Sequence, residues 1–213
     1  TTLSPTKLLT HMELSKDLMF AGEAQNFTVK ISDSKTLQDV GGANVTVKIM
    51  QANIMVNEYN GSSDSSGEYS NSWNIMPSTP SGKYDVLVSA SADGYQPALL
   101  SGSFVVQKQL SVEASLLKRL VAPGDEQTID VKVIDANTKE IIPGADVMAK
   151  IGQKNGYNGT SDTSGAYSHT WNITSDTASG KYKVLVSASA DGYQPASLTG
   201  SFEVQKQLLV EAS

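Results

Sequence analysis

Ser81 to Ser115 reads SGKYDVLVSASADGYQPALLSGSFVVQKQLSVEAS, and Ser179 to Ser213 reads SGKYKVLVSASADGYQPASLTGSFEVQKQLLVEAS. The aligned pairs that differ are Asp85/Lys183, Leu99/Ser197, Ser101/Thr199, Val105/Glu203 and Ser111/Leu209, at a constant offset of 98. The chain is a tandem repeat. A period near 100 residues exceeds the roughly 20–50 of solenoid repeats, so each copy is expected to fold as a domain of its own. Within the stretch Tyr84, Val86 and Val88 alternate with polar residues, Asp93-Gly94 marks a turn, and a last strand is expected around Ser103 to Gln107.

Upstream of this stretch the offset is 102. LLTHMEL from Leu8 aligns with LSVEASL from Leu110 as a first strand. GEAQNFTVKISD from Gly22 and GDEQTIDVKVID from Gly124 follow, with Phe27, Val29, Ile31 and Ile129, Val131, Val133 at period two. A third strand places Val45, Val47 and Ile49 inward. Unit one then carries four extra residues near Met50 to Asn57, whereas unit two has Asn155-Gly156, a pair suited to a tight hairpin turn. Asp64-Ser-Ser-Gly67 and Asp162-Thr-Ser-Gly165 read as Asp-led turns. The strand after each puts Tyr69, Trp73, Ile75 and Tyr167, Trp171, Ile173 on one face. Some seven short strands with frequent turns and no helical period indicate an antiparallel sandwich.

The succession Pro123-Gly124-Asp125, VKVID, Pro143-Gly-Ala-Asp-Val, Ser161-Asp-Thr-Ser-Gly-Ala-Tyr and Gly180-Lys-Tyr-Lys-Val-Leu-Val resembles the immunoglobulin-like repeats of prokaryotic cell-surface proteins. It is similar also to macroglobulin-type sandwich domains, whose thioester element is absent here. The resemblance implies an all-β chain of two tandem seven-stranded antiparallel immunoglobulin-like β-sandwiches. Domain 1 is expected over residues 1–109, domain 2 over 110–207, and the start of a third repeat over 208–213, where LLVEAS matches LSVEAS from Leu110. It also implies a tyrosine corner at Tyr84 and Tyr182 as one reading, beside that of plain core tyrosines. Unit one departs from the pattern in lacking proline before Gly22 and Gly42.

With 213 residues, a net charge of −6, no cysteine and two histidines, the sequence excludes disulfides, thiol chemistry and cysteine-rich zinc sites. Sixteen basic residues scattered among twenty-two acids argue against a nucleic-acid partner. No run approaches the length of a membrane-spanning segment. His11 and His169 fall at non-equivalent places, so no nucleophile–base pair is expected, and neither a cofactor nor a metal is implied. Asp64 and Asp162 fit a turn better than a hard-cation loop, because each loop offers a single carboxylate. Convergence of Glu113, Asp135 and Asp191 at the domain junction is an alternative place for calcium.

Two sets of residues stand out as candidates. Asn26, Asn44, Asn60, Asn158 and Asn172 each begin an Asn-x-Ser/Thr triplet, five of eleven asparagines, and alternation turns them outward or sets them just before turns. They are candidate glycosylation sites. Ile54-Met55-Val56, in the insertion of unit one, is expected at a hairpin tip as a partner contact or as one strand of a longer hairpin. The expected function is a non-enzymatic extracellular structural or stalk repeat of a prokaryotic surface or envelope protein. Its partners would be neighbouring repeats, with a cell-surface protein or glycan as a further one. The alternative is an adhesin or a carbohydrate-binding accessory module of a secreted protein, although only Tyr59, Tyr95, Tyr157 and Tyr193 look loop-borne.

Overall fold

A computed structural model describes residues 6–152 and 155–206. The expected start of a third repeat, 208–213, lies outside the described residues. Among the described residues every regular element is a strand, and the chain divides into compact units Thr1–Gln107 and Lys108–Ser213. Among the described residues no helix is long and apolar enough to cross a membrane.

Unit 1 contains β1 (Thr6–Leu14), β2 (Leu18–Phe20), β3 (Ala24–Asp33), β4 (Asn44–Gln51), β5 (Ile54–Ser62), β6 (Glu68–Asn74), β7 (Gly82–Ser91), β8 (Tyr95–Gln96) and the first half of β9 (Ala98–Leu116). One sheet runs β6-β3-β1-β8, and the other runs β5-β4-β7-β9-β2. In unit 2 the second half of β9 takes the place of β1. It is followed by β10 (Leu120–Val121), β11 (Glu126–Asp135), β12 (Asp146–Ile151), β13 (Asn155–Thr160), β14 (Ala166–Asn172), β15 (Gly180–Ser189), β16 (Tyr193–Gln194) and β17 (Ala196–Val204). Its sheets are β14-β11-β9-β16 and β10-β17-β15-β12-β13.

Period two explains the cores. Phe27, Val29 and Ile31 of β3 and Val45, Val47 and Ile49 of β4 are buried, and their outward neighbours are polar. Tyr84 and Phe104 stack at 5.6 Å beside Trp73, and Tyr182, Phe202 and Trp171 repeat the arrangement in unit 2. Removing large side chains from water between two sheets is the main stabilising term of each unit.

Two expectations need correction. The long strands pair antiparallel, but β2 with β9, β10 with β17, β1 with β8 and β16 with β9 pair parallel. For the first two the cause is the first strand, which breaks after Leu14 or Leu116 and resumes on the opposite sheet beside the last strand. Second, Asn155-Gly156 does not form the hairpin turn of unit 2. The register Ile151↔Asn155 and Lys150↔Gly156 puts both in β13, because Val147, Ala149 and Ile151 must face the core. In unit 1 the insertion lengthens the β4–β5 hairpin, closed by Ala52 and Asn53 at φ 48° and 66°, with a register shift between Ile49 and Met50.

Candidate functional site

The feature that both units build with the same residue types is the closure between first and last strands. Residues 15–17 carry the chain from one sheet to the other, leaving backbone groups that no ladder satisfies. Gln25, inward on β3, supplies them: its side-chain amide donates to the Lys16 carbonyl at 2.9 Å, and its oxygen accepts from the Ser15 hydroxyl at 3.0 Å. Gln127 repeats the role more directly. It accepts from the Lys118 N–H at 3.1 Å and donates to the Lys118 carbonyl at 2.8 Å, imitating one rung of a ladder. Both glutamines are wholly buried.

Beyond the crossing the strand lies parallel to the end of the domain. Leu18–Phe20 pairs with Val105–Gln107, and Leu120–Val121 with Glu203–Val204. The Val105 N–H donates to the Asp17 carbonyl at 2.8 Å, and the Glu203 N–H to that of Arg119 at 2.9 Å. A turn with Gly22 or Gly124 at positive φ then leads into β3 or β11. An acid closes it: Glu23 accepts from the Phe20 N–H, and Asp125 from the Ala122 N–H, both at 2.8 Å. Lys16 and Lys118 pair with these carboxylates. The hydrogen bond from the lysine, then that from the backbone, holds each carboxyl below its ordinary range.

Other signals resolve into structure. The Tyr84 hydroxyl donates to the Pro80 carbonyl and that of Tyr182 to Ala178, both at 2.8 Å, which is a tyrosine corner in each unit. Asp64 Oδ1 accepts from the Ser66 hydroxyl and from the N–H groups of Ser66 and Glu68, so that oxygen serves the turn. Asp162 does the same with Ser164 and Ala166. Gly67 is required in the first turn, since its φ is +73° and a Cβ there would lie 2.4 Å from the Ile31 carbonyl. Among the described residues no three His, Asp or Glu side chains gather closely enough to hold a metal, so Glu113, Asp135 and Asp191 do not converge. Asp135 is buried and accepts from the Asn137 and Thr138 N–H groups.

The structure places all five triplet asparagines at exposed strand positions: Asn26 on β3, Asn44 on β4, Asn60 on β5, Asn158 on β13 and Asn172 on β14. Asn44-Val-Thr46 and Asn60-Gly-Ser62 face each other across one hairpin, the Thr46 hydroxyl donating to Asn60 Oδ1 at 2.7 Å. Ile54, Met55 and Val56 open the edge strand β5 with relative exposures of 70%, 52% and 44%. The tyrosines expected on loops are engaged instead. Tyr59 donates to the Ser72 carbonyl, Tyr95 bonds Asp33, Tyr157 stacks on His169, and Tyr193 stands beside Asp135. Sequence reading passed over Gln25 and Gln127, although two positions before Phe27 and Ile129 the alternation itself turns them inward.

No protein-family model and no curated protein sequence matches the chain. Among solved structures it is similar to a tetra-tandem repeat from the extending region of a large adhesion protein: 14% identity, TM-score 0.52, 94% of this chain and 50% of that one. The Yersinia pseudotuberculosis adhesin InvE aligns at 14% identity and TM-score 0.41 over 92% of this chain and 60% of that one. A Salmonella alpha-2-macroglobulin mutant aligns at 17% identity and TM-score 0.38, with 96% and 15% covered. The chain thus spans half of the repeat structure and less than two thirds of the other two. At these identities the likeness to the repeat structure concerns the fold alone.

Proposed function

We propose that the chain is two tandem immunoglobulin-like sandwiches, seven-stranded if only the long strands of each unit are counted, from a non-enzymatic, extracellular stalk of a prokaryotic cell surface or envelope protein. The observation that carries this reading is the parallel pairing of first and last strands in each unit. In a stalk, tension enters a unit at its first strand and leaves at its last. With those strands parallel and hydrogen-bonded, the load shears several bonds together instead of opening them one by one. The buried glutamine at the crossing ties that strand to the core just ahead of the sheared segment.

Single-molecule stretching of the whole chain tests the proposal. Two abrupt unfolding events are expected, each releasing roughly 300 Å of chain, as about 100 residues at about 3.3–3.6 Å allow. Smooth extension without resolved events would exclude a load-bearing role.

The neighbouring repeats of such a stalk are its first partners. The five exposed asparagines are proposed to carry glycans, which peptide mass spectrometry of the protein from its own host tests: unmodified Asn26, Asn44, Asn60, Asn158 and Asn172 would remove the assignment. An adhesin is the second reading, favoured by the exposed apolar run Ile54-Met55-Val56 as a contact for a protein partner. The carbohydrate-binding version has less support, since the tyrosines it needs are hydrogen-bonded or stacked within the units.

A further inference from the structure

We propose that unit 2 holds a binding site for a linear, medium-chain aliphatic carboxylate in the cleft between the facing edges of β9 and β17. The cleft has a volume of about 600 Å³, within the roughly 300–1,000 Å³ of small-molecule pockets. Ala114, Ser115 and Leu116 line one side and Arg119 stands at the same side. Leu198 and Gly200 line the other, with Val184 and Val186 behind.

The two copies differ at this cleft. The apolar residues of the far wall are duplicated, since Val86, Val88, Leu100 and Gly102 of unit 1 correspond to Val184, Val186, Leu198 and Gly200, with Thr199 in place of Ser101 between the last two. The near wall is not. At the offset of 102, Ala114 replaces Met12, Ser115 replaces Glu13 and Arg119 replaces Asp17, while Leu14 is kept as Leu116. In unit 1 the Met12 methyl covers Gly102, where an added Cβ would lie 2.5 Å from it. At Gly200 the nearest atom to an added Cβ is Leu116 Cδ1, at 3.6 Å. The space that Met12 fills in unit 1 is therefore open in unit 2, and an unbranched apolar chain is the shape that fits it.

The charges have changed as well: at the offset of 102 the carboxylates of Glu13 and Asp17 give way to Ser115 and the Arg119 guanidinium, while Glu203 stands where unit 1 has Val105. Arg119 is the only arginine in the chain, is exposed, and makes no salt bridge among the described residues. A guanidinium's planar fork matches a carboxylate. The ligand's chain lies over Gly200 against Leu116 and Leu198, and its carboxylate meets Arg119.

Titration of the full chain with octanoate, followed by amide NMR, tests the site. Saturable shifts are expected at Leu116, Thr199 and Gly200, with Gly102 unmoved. Octylammonium should not bind. Ala114→Met, which restores the residue of unit 1, should abolish binding while thermal unfolding shows the variant folded. Arg119→Asp should weaken octanoate about tenfold, the loss of one charge-assisted contact. The proposal is overturned if octanoate gives no saturable shift, if Gly102 responds equally, or if Ala114→Met still binds. Equal affinity for octylammonium would overturn the carboxylate assignment, and tighter binding of acetyl-norleucine than of octanoate would replace a free fatty acid by a peptide C-terminus.

Discussion

Replacing Gln127 by leucine tests the pin at the strand crossing of unit 2. The substitution keeps the bulk and removes both bonds to Lys118, at 3.1 and 2.8 Å, in a side chain with no solvent exposure. Two hydrogen bonds contribute about 0.5–1.5 kcal/mol each, and each backbone group left without a partner costs about 1–3 kcal/mol. Lys118 is exposed, so water can reach its backbone at the expense of local rearrangement, and the extra apolar burial of leucine offsets part of the loss. The expected net destabilisation is about 2–3 kcal/mol, or roughly 10–20 °C in Tm for a domain of this size. Each unit has one tryptophan, Trp73 or Trp171, so urea unfolding in a Trp73→Phe background reports unit 2 alone. A loss below about 0.5 kcal/mol, within the range of ordinary surface changes, would refute the pin. Gln127→Glu adds a second check. The introduced carboxyl can donate to the Lys118 carbonyl only when protonated, so this variant should gain stability as pH falls, opposite to the parent.

Two further predictions concern the same framework. Asp125 is held below its ordinary 3.8 by Lys118 and the Ala122 N–H, so its contribution is present above that value and lost as pH falls through its lower folded-state value; acid titration of unfolding should show this loss below pH ~4, and Asp125→Asn should flatten it. Gly159→Ala should destabilise unit 2 by about 1–3 kcal/mol, because the added methyl would lie 2.4 Å from the Tyr167 ring, and a Tm unchanged from the parent would show that the ring yields freely.

What the sequence made legible is what local chemistry decides. Period two in the stretches around Phe27, Val47 and Val86 placed the core, and the Asp64 and Asp162 turns follow from a short carboxylate next to backbone donors. The outward asparagines follow from the same alternation. What stayed hidden depends on strands distant in the chain. Nothing local says that the first strand leaves its sheet after Leu14, since the partner of Leu18 is Val105. The polar Gln25 at an inward position was the one visible trace, because a buried amide must find partners and a strand crossing offers them. The cleft of unit 2 was equally latent in the pair Met12 and Ala114, but only the structure shows that Met12 lies over Gly102 of the last strand and that Ala114 leaves Gly200 uncovered.

A second exchange between the copies yields the last prediction. Phe27 lies directly across from Asn71, and Ile129 across from His169. The larger partner has shrunk from Phe to Ile while the smaller has grown from Asn to His, and the tyrosine next to them changes partner. Tyr59 meets the Phe27 ring at 5.3 Å, whereas Tyr157 stacks on His169 at 3.6 Å. If volume at this edge is conserved by the pair, Ile129→Phe should overpack unit 2 and His169→Asn should leave a gap, each costing about 1–2 kcal/mol. The double variant should recover most of both, with a coupling of about 1–2 kcal/mol in a double-mutant cycle read by Trp171 fluorescence. Additive losses would show that the two sites are independent. Burial pushes the His169 imidazole below its ordinary 6.5, so protonation is easier in the unfolded chain. The stability it supports is complete above pH ~6.5 and declines as pH falls toward its lower folded-state value. The double variant, with asparagine in that place as in unit 1, should lose that decline.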